Sequence, residues 1–220
     1  MSAVNEWVVR EYFEALGFLV SQPRKYGTLG RSKNPDEEID LIVWNPHAVE
    51  NTVPDHMVWE TGDLKGISRA VVGVRGWHTE RFSVSTFEQT PEILRFAEPD
   101  CTRVAARMLN SESIVKILCL PRLPASGELK KQAILAMKEK GIDGVISFHT
   151  MLLELVRRVD PKRNYEKSDL LQAIRLLKNY DLLKDDSQME LFGRRRQPQR
   201  RTAPKEDGHL PAEKTSPQAG

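Results

Sequence analysis

The sequence predicts one α/β domain: a first helix, an antiparallel three-strand meander, and then alternating helices and parallel strands. Three observations predict it. The segment Val4–Leu16 keeps helical spacing through Val4, Val8, Tyr12 and Ala15, and Gly17 follows as a stop. Three strand-like runs then follow within about fifty residues, each bounded by turn residues. Beyond Thr90, helical stretches alternate with the apolar runs Ser113–Leu120 and Ile142–Phe148, and strand–helix–strand at that spacing pairs in parallel.

The elements follow in order. Phe18–Ser21 is a short first strand, and the polar stretch 22–36, with its Gly and Pro, is a loop. Ile39–Trp44 (IDLIVW) is a second strand ended by Asn45-Pro46. His56–Gly66 (HMVWETGDLKG) reads as the third, with Gly62 marking a bulge. Thr90-Pro91-Glu92 opens helical segments over about 91–98 and 101–109. Ser126 caps a helix from about 127 to 140, which Gly141 ends, and a further helix runs from about Thr150 to Val159. Ser168 caps the last helix, to about Leu183. Its Leu170, Leu171, Ile174, Leu177 and Leu182 lie on or near one face. That face either covers the core or forms a homodimer interface.

Charge divides unevenly. From Gly193 to Gly220 seven basic residues meet three acidic ones, a net of +4, so the first 192 residues carry −2 of the total +2. Aromatics vanish there and Pro, Gln, Arg and Lys dominate, which predicts a disordered basic tail over 193–220. Nucleic-acid attraction must therefore come from the tail or a local patch. No run of about 18 apolar residues exists, and the first helix carries acids rather than a basic region and an apolar block. A cytoplasmic, nucleoid-associated protein without a membrane span is expected. Cys101 and Cys119 lack CxxC spacing and read as reduced core thiols. His47, His56, His149 and His209 show no metal-ligand spacing.

Asp40 opens the second strand, and Asp63 and Lys65 lie near the end of the third. Residues two apart on a strand share a face. If those strands are neighbours, Asp40 approaches Asp63, and a magnesium or manganese ion relieves the repulsion of paired carboxylates. Such a metal acidifies a bound water, and a lysine beside it stabilises developing charge. The bland alternative is a solvated salt bridge on a surface strand. Asp36 and Glu38 compete with Asp40, although the apolar run that follows favours Asp40; Glu60 is an alternative to Asp63.

These residues resemble the PD-(D/E)XK, or restriction-endonuclease-like, nuclease superfamily. The pattern is nearest to the Mrr-type endonucleases and archaeal-type Holliday junction resolvases. The likeness rests on Glu6 with Gly17-Phe18, on Ile39-Asp40-Leu41-Ile42, and on Asp63-Leu64-Lys65-Gly66. It covers about residues 4–150. It implies metal ligation by Glu6, Asp40, Asp63 and the Leu64 carbonyl, with Lys65 as the lysine of the reaction. It implies a magnesium-dependent endodeoxyribonuclease of repair, recombination or defence. The rival readings are a non-catalytic DNA-binding or clamp-tethered module on the same fold, and a structural protein whose acids only form salt bridges.

Two further stretches bear on partners. Gly66–Glu88 interleaves Arg69, Arg75 and Arg81 with Trp77 and Phe82, which suits phosphate contact and base stacking. The alternative is that Val71, Val72 and Val74 pack in the core while the arginines are solvated. Gln188-Met189-Glu190-Leu191-Phe192 resembles the bacterial sliding-clamp-binding pentapeptide, in which Gln188 bonds the rim of a pocket that takes Leu191 and Phe192. The domain is thus expected over 1–187, the peptide over 188–192 and the tail beyond. Arg194, Arg195 and Arg196 follow directly and suit salt-sensitive contact with DNA phosphates.

Overall fold

In the computed structural model, residues 3–23, 38–78 and 81–183 are described. They belong to the first of two units, Met1–Asp185 and Asp186–Gly220. The clamp-like peptide, the tail arginines Arg194–Arg196 and residues 24–37 lie outside the described residues.

The strands are β1 (Leu19–Ser21), β2 (Leu41–Trp44), β3 (Arg69–Val74), β4 (Val115–Leu120) and β5 (Gly144–Ser147). They form one sheet in sequence order. β1–β2 and β2–β3 are antiparallel, and β3–β4 and β4–β5 are parallel. The helices are α1 (Ala3–Ala15), α2 (Val84–Gln89), α3 (Pro99–Leu109), α4 (Gly127–Glu139), α5 (Phe148–Arg158) and α6 (Asp169–Asn179). An α/β chain with a five-stranded mixed sheet, as the periodicities indicate, is what forms.

Alternation along the strands builds two apolar layers. Leu41, Val43, Ala70, Val72, Val74, Val115, Ile117 and Cys119 face α1, α5 and α6, where they meet Val8, Val9, Tyr12, Phe13, Met151, Leu155 and Ile174. Ile42, Val71, Leu118, Leu120 and Val145 face α3 and α4 with Phe96, Cys101, Ala105, Ala133 and Met137. Each fully buried Val, Leu, Ile, Phe or Met among them contributes about 1.5–3 kcal/mol. The first half of α6 covers the core: Ile174 is buried, whereas Leu177 and Leu182 remain exposed. Three helices return to the sheet by one device, a left-handed residue (Gly17, Asn110 or Gly141) followed by an amide bonded five residues back. Those bonds are Phe18 N to Phe13 O, Ser111 N to Ala106 O and Ile142 N to Met137 O. Among the described residues, no helix is long and apolar enough to cross a membrane.

The third strand is not where the sequence pattern suggested. Residues 61–66 form a 3-10 turn, closed by a reciprocal capping box between Glu60 and Asp63. The strand beside β2 is the apolar run Arg69–Val74. The preceding segment does pair, but at the far edge: Val58 bridges Val145 of β5, and buried Trp59 packs on Gly144. Residues 91–97 form two single 3-10 turns rather than a helix, and the short helix α2 before them went unread.

Candidate functional site

The register Leu41↔Val72 sets Asp40, one residue before β2, level with the end of β3. Its Oδ2 accepts the amide of Val74 at 2.8 Å and Nη1 of Arg75 at 2.6 Å. Asp40 is 1% exposed and Arg75 5%. The guanidinium also donates from Nε to the Ile93 carbonyl (2.9 Å), from Nη1 to Val74 O (2.7 Å) and from Nη2 to Glu92 O (3.3 Å). Its Cζ lies 5.6 Å from the centre of the Phe96 ring. A buried ion pair persists only when its remaining donors are also satisfied, and here carbonyls of the 92–93 turn do that. Arg75, expected at a DNA-facing rim, is instead sealed inside, because it is the counter-ion of Asp40.

The neighbouring position shows why no second carboxylate stands there. A Cβ built on Gly73 falls 2.4 Å from two Phe96 ring carbons. No side chain fits without moving that buried ring. Facing Asp40, the third strand therefore presents Gly73-Val74-Arg75 in place of an acid-x-Lys triplet.

Asp63 lies elsewhere. Its Oδ2 accepts from His56 Nε2 at 3.0 Å and from the Glu60 amide at 2.8 Å. His56 precedes Val58, which is the neighbour of β5. From there to β2 is four inter-strand steps, about 19 Å at the usual spacing of roughly 4.8 Å. That exceeds the reach of one metal ion, whose oxygen ligands sit about 2.0–2.6 Å away. Lys65 is exposed on the same 3-10 turn. The Leu64 carbonyl accepts the Ile67 amide, and the Leu64 side chain is buried in the core. Asp40 and Asp63 are thus not brought together, and Asp63 and Lys65 do not share a strand face.

Glu6 does approach the Asp40 end of the sheet. Gln22 Nε2 donates to its Oε2, and Gln22 follows β1, whose Ser21 faces Ile42. Among the described residues, no three His, Cys, Asp or Glu side chains are grouped to hold a metal. The residues present do not fit the magnesium that the resemblance implies: the central carboxylate already holds a guanidinium and the second is across the sheet.

What the end of β3 does build is an aromatic and cationic surface. Trp77 lies parallel to buried Phe82, with ring centres 6.0 Å apart and planes within 8°. It keeps 37% of its surface open. The Phe82 amide donates to the Arg122 carbonyl at 3.2 Å, which brings the backbone just after exposed Arg81 close to that of exposed Arg122. His78 donates from Nε2 to Asn5 Oδ1 at 2.9 Å and rests edge-on to Phe148, with ring centres 4.9 Å apart. Asn5 Nδ2 in turn reaches the Gly76 carbonyl at 3.4 Å, tying α1 to this loop. Arg69 is at the other end of β3, 5.9 Å above the Trp44 ring. Sequence reasoning missed Gly73, Phe96, Asn5 and Arg122. Only Gly73 left a signal, as the one residue lacking a side chain in the apolar run 70–74.

The thiols take no part. Burial pushes Cys119 well up and Cys101 up to about 11, and both are buried and outside any disulfide. No protein-family model matches this chain, and no curated protein or solved structure does.

Proposed function

We propose that this chain is a non-catalytic DNA-binding module built on a restriction-endonuclease-like core. The order helix, three antiparallel strands, helices, parallel strand supports the core assignment. The observation that carries the loss of catalysis is the buried Asp40–Arg75 pair. Arg75 occupies the carboxylate that a metal would need, and Phe96 occupies the space of a second acid. Displacing Arg75 would leave a guanidinium buried without its partner, which costs several kcal/mol.

DNA binding is supported by the surface at the end of β3. Trp77 offers a ring held parallel to Phe82, and Arg81 and Arg122 offer cations for phosphates. The arginines at 194–196 add sequence-independent attraction, and the peptide Gln188–Phe192 supplies a tether to a sliding clamp in this reading.

The test is fluorescence anisotropy of labelled single-stranded, linear duplex and four-way-junction DNA with the full chain. The same mixtures are run on denaturing gels after incubation with magnesium or manganese. Binding that weakens with salt, without strand cleavage, is expected. Metal-dependent cleavage that disappears in Lys65→Ala would restore the nuclease reading. Absence of binding to all three would leave a structural protein.

A further inference from the structure

A second site lies away from the surface just described, between the last turns of α1 and the start of α6. A cleft of about 470 Å³ is lined there by Glu11, Glu14, Glu166, Lys167, Asn164 and Ser168, among others. Glu11 is the unusual member. It is only 7% exposed, yet among the described residues its carboxylate accepts no hydrogen bond, and the nearby cation that it feels, Arg10, is bonded to Glu14 instead. Among the described residues, no buried side-chain oxygen lacks a partner. The Glu11 oxygens therefore reach solvent, and the opening available to them is the cleft.

Its neighbours are already engaged. Glu14 accepts Arg10 Nε at 2.8 Å, Glu166 accepts Asn164 Nδ2 at 3.1 Å, and the Ser168 hydroxyl accepts the Leu171 amide at 3.2 Å. Three carboxylates against Lys167 leave the lining net negative. A carboxylate that accepts no hydrogen bond from the described residues, set in a net negative cleft, gains most from a partner that is both charged and a hydrogen-bond donor.

We propose that this cleft binds a guanidinium group, with Glu11 as its fork-shaped acceptor. The five donors of a guanidinium match a carboxylate pairwise and leave others for Glu14 and the Glu166 side. The volume takes an arginine side chain with its flanking peptide. A metal ion fits less well, because no three carboxylates here are grouped to ligate one.

The experiment titrates the ¹⁵N-labelled full chain with acetyl-Gly-Arg-Gly-amide, following amide shifts. Acetyl-Gly-Lys-Gly-amide and agmatine run in parallel, to separate guanidinium from ammonium and peptide from free amine. Saturable shifts confined to residues 11–15 and 164–171 are expected, stronger for the two guanidinium probes. Preference for agmatine over the arginine peptide would assign a small-molecule source, and the reverse a peptide source. Glu11→Gln should weaken binding about fivefold, the upper range for one solvent-accessible ion pair. Lys167→Ala, an exposed change that leaves the fold intact, should tighten it by removing a competing charge. Overturning results are scattered, non-saturating shifts, equal response to the lysine peptide, or affinity unmoved by Lys167→Ala in a chain that still folds.

Discussion

Arg75 Nη1 lies 2.6 Å from Asp40 Oδ2, and the two side chains are 5% and 1% exposed. The pair joins the start of β2 to the end of β3 and, through Arg75, to the carbonyls of Glu92 and Ile93. It is a structural joint at the place where the sequence pattern suggested a metal. Arg75→Ala should remove the buried counter-ion of Asp40 and destabilise the domain by about 3–5 kcal/mol. Arg75→Lys keeps the charge but loses the fork, and should cost less, about 2 kcal/mol. Urea unfolding of the two variants measures both, and equal stability of wild type and Arg75→Ala would remove the joint from the account.

Gly73 and Phe96 should behave as one unit. Gly73→Ala drives a methyl group into the ring and should cost about 1–3 kcal/mol. In a Phe96→Leu background the same change should cost much less, because the clashing ring atoms are gone. A double-mutant cycle by chemical denaturation reads the coupling, and additivity of the two changes would show that the close approach is relieved elsewhere.

Trp77→Ala should weaken single-stranded DNA binding by about 1–3 kcal/mol, as for loss of one stacked base. Because Trp77 covers Phe82, the variant's thermal midpoint should also fall, so binding is compared well below both midpoints. Arg122→Ala should weaken binding to all sequences alike and reduce the salt slope. Anisotropy at two or more salt concentrations separates these effects.

Alkaline pH should destabilise the fold. The Cys101 thiol is raised by burial from 9.0 to about 11, and burial raises Cys119 and Tyr12 as well. Below pH 9 both states of Cys101 keep the proton and stability is complete. Between about pH 9 and 11 the unfolded chain ionises first, so stability falls as pH rises. Denaturation midpoints across that window should decline, and less steeply in Cys101→Ala. Neither thiol should react quickly with a disulfide reagent in the native state at pH 8.

The legible parts of the fold were those with long, regular periodicity. Helix α1, strand β2 and the β4–α4–β5 unit follow from the spacing of Val8 and Tyr12, the run Ile39–Trp44, and the stop at Gly141. The third strand was misread for a physical reason. Val58 and Trp59 are apolar because they pair and pack at the β5 edge, and their hydrophobicity does not say which edge. The strand that fills the gap, Ala70–Val74, is apolar on both faces because it is buried on both, so it lacks alternation. Asp40 was identifiable as an acid at a strand start, though as a metal ligand rather than as half of a buried ion pair. Its partner was not, since the pairing with Arg75 depends on a register that no local signal carries. Asp63-Leu64-Lys65, expected on a strand, lies in a capped 3-10 turn.

A manganese titration of the ¹⁵N-labelled full chain, read by paramagnetic broadening of amide signals, decides whether Asp40 is held by Arg75 or by a metal. If Asp40 belongs to Arg75, the amides of Asp40, Gly73, Val74 and Arg75 should keep their intensity up to millimolar manganese, apart from uniform surface losses. Selective loss of those four signals at micromolar manganese would place a metal on Asp40 and contradict the account.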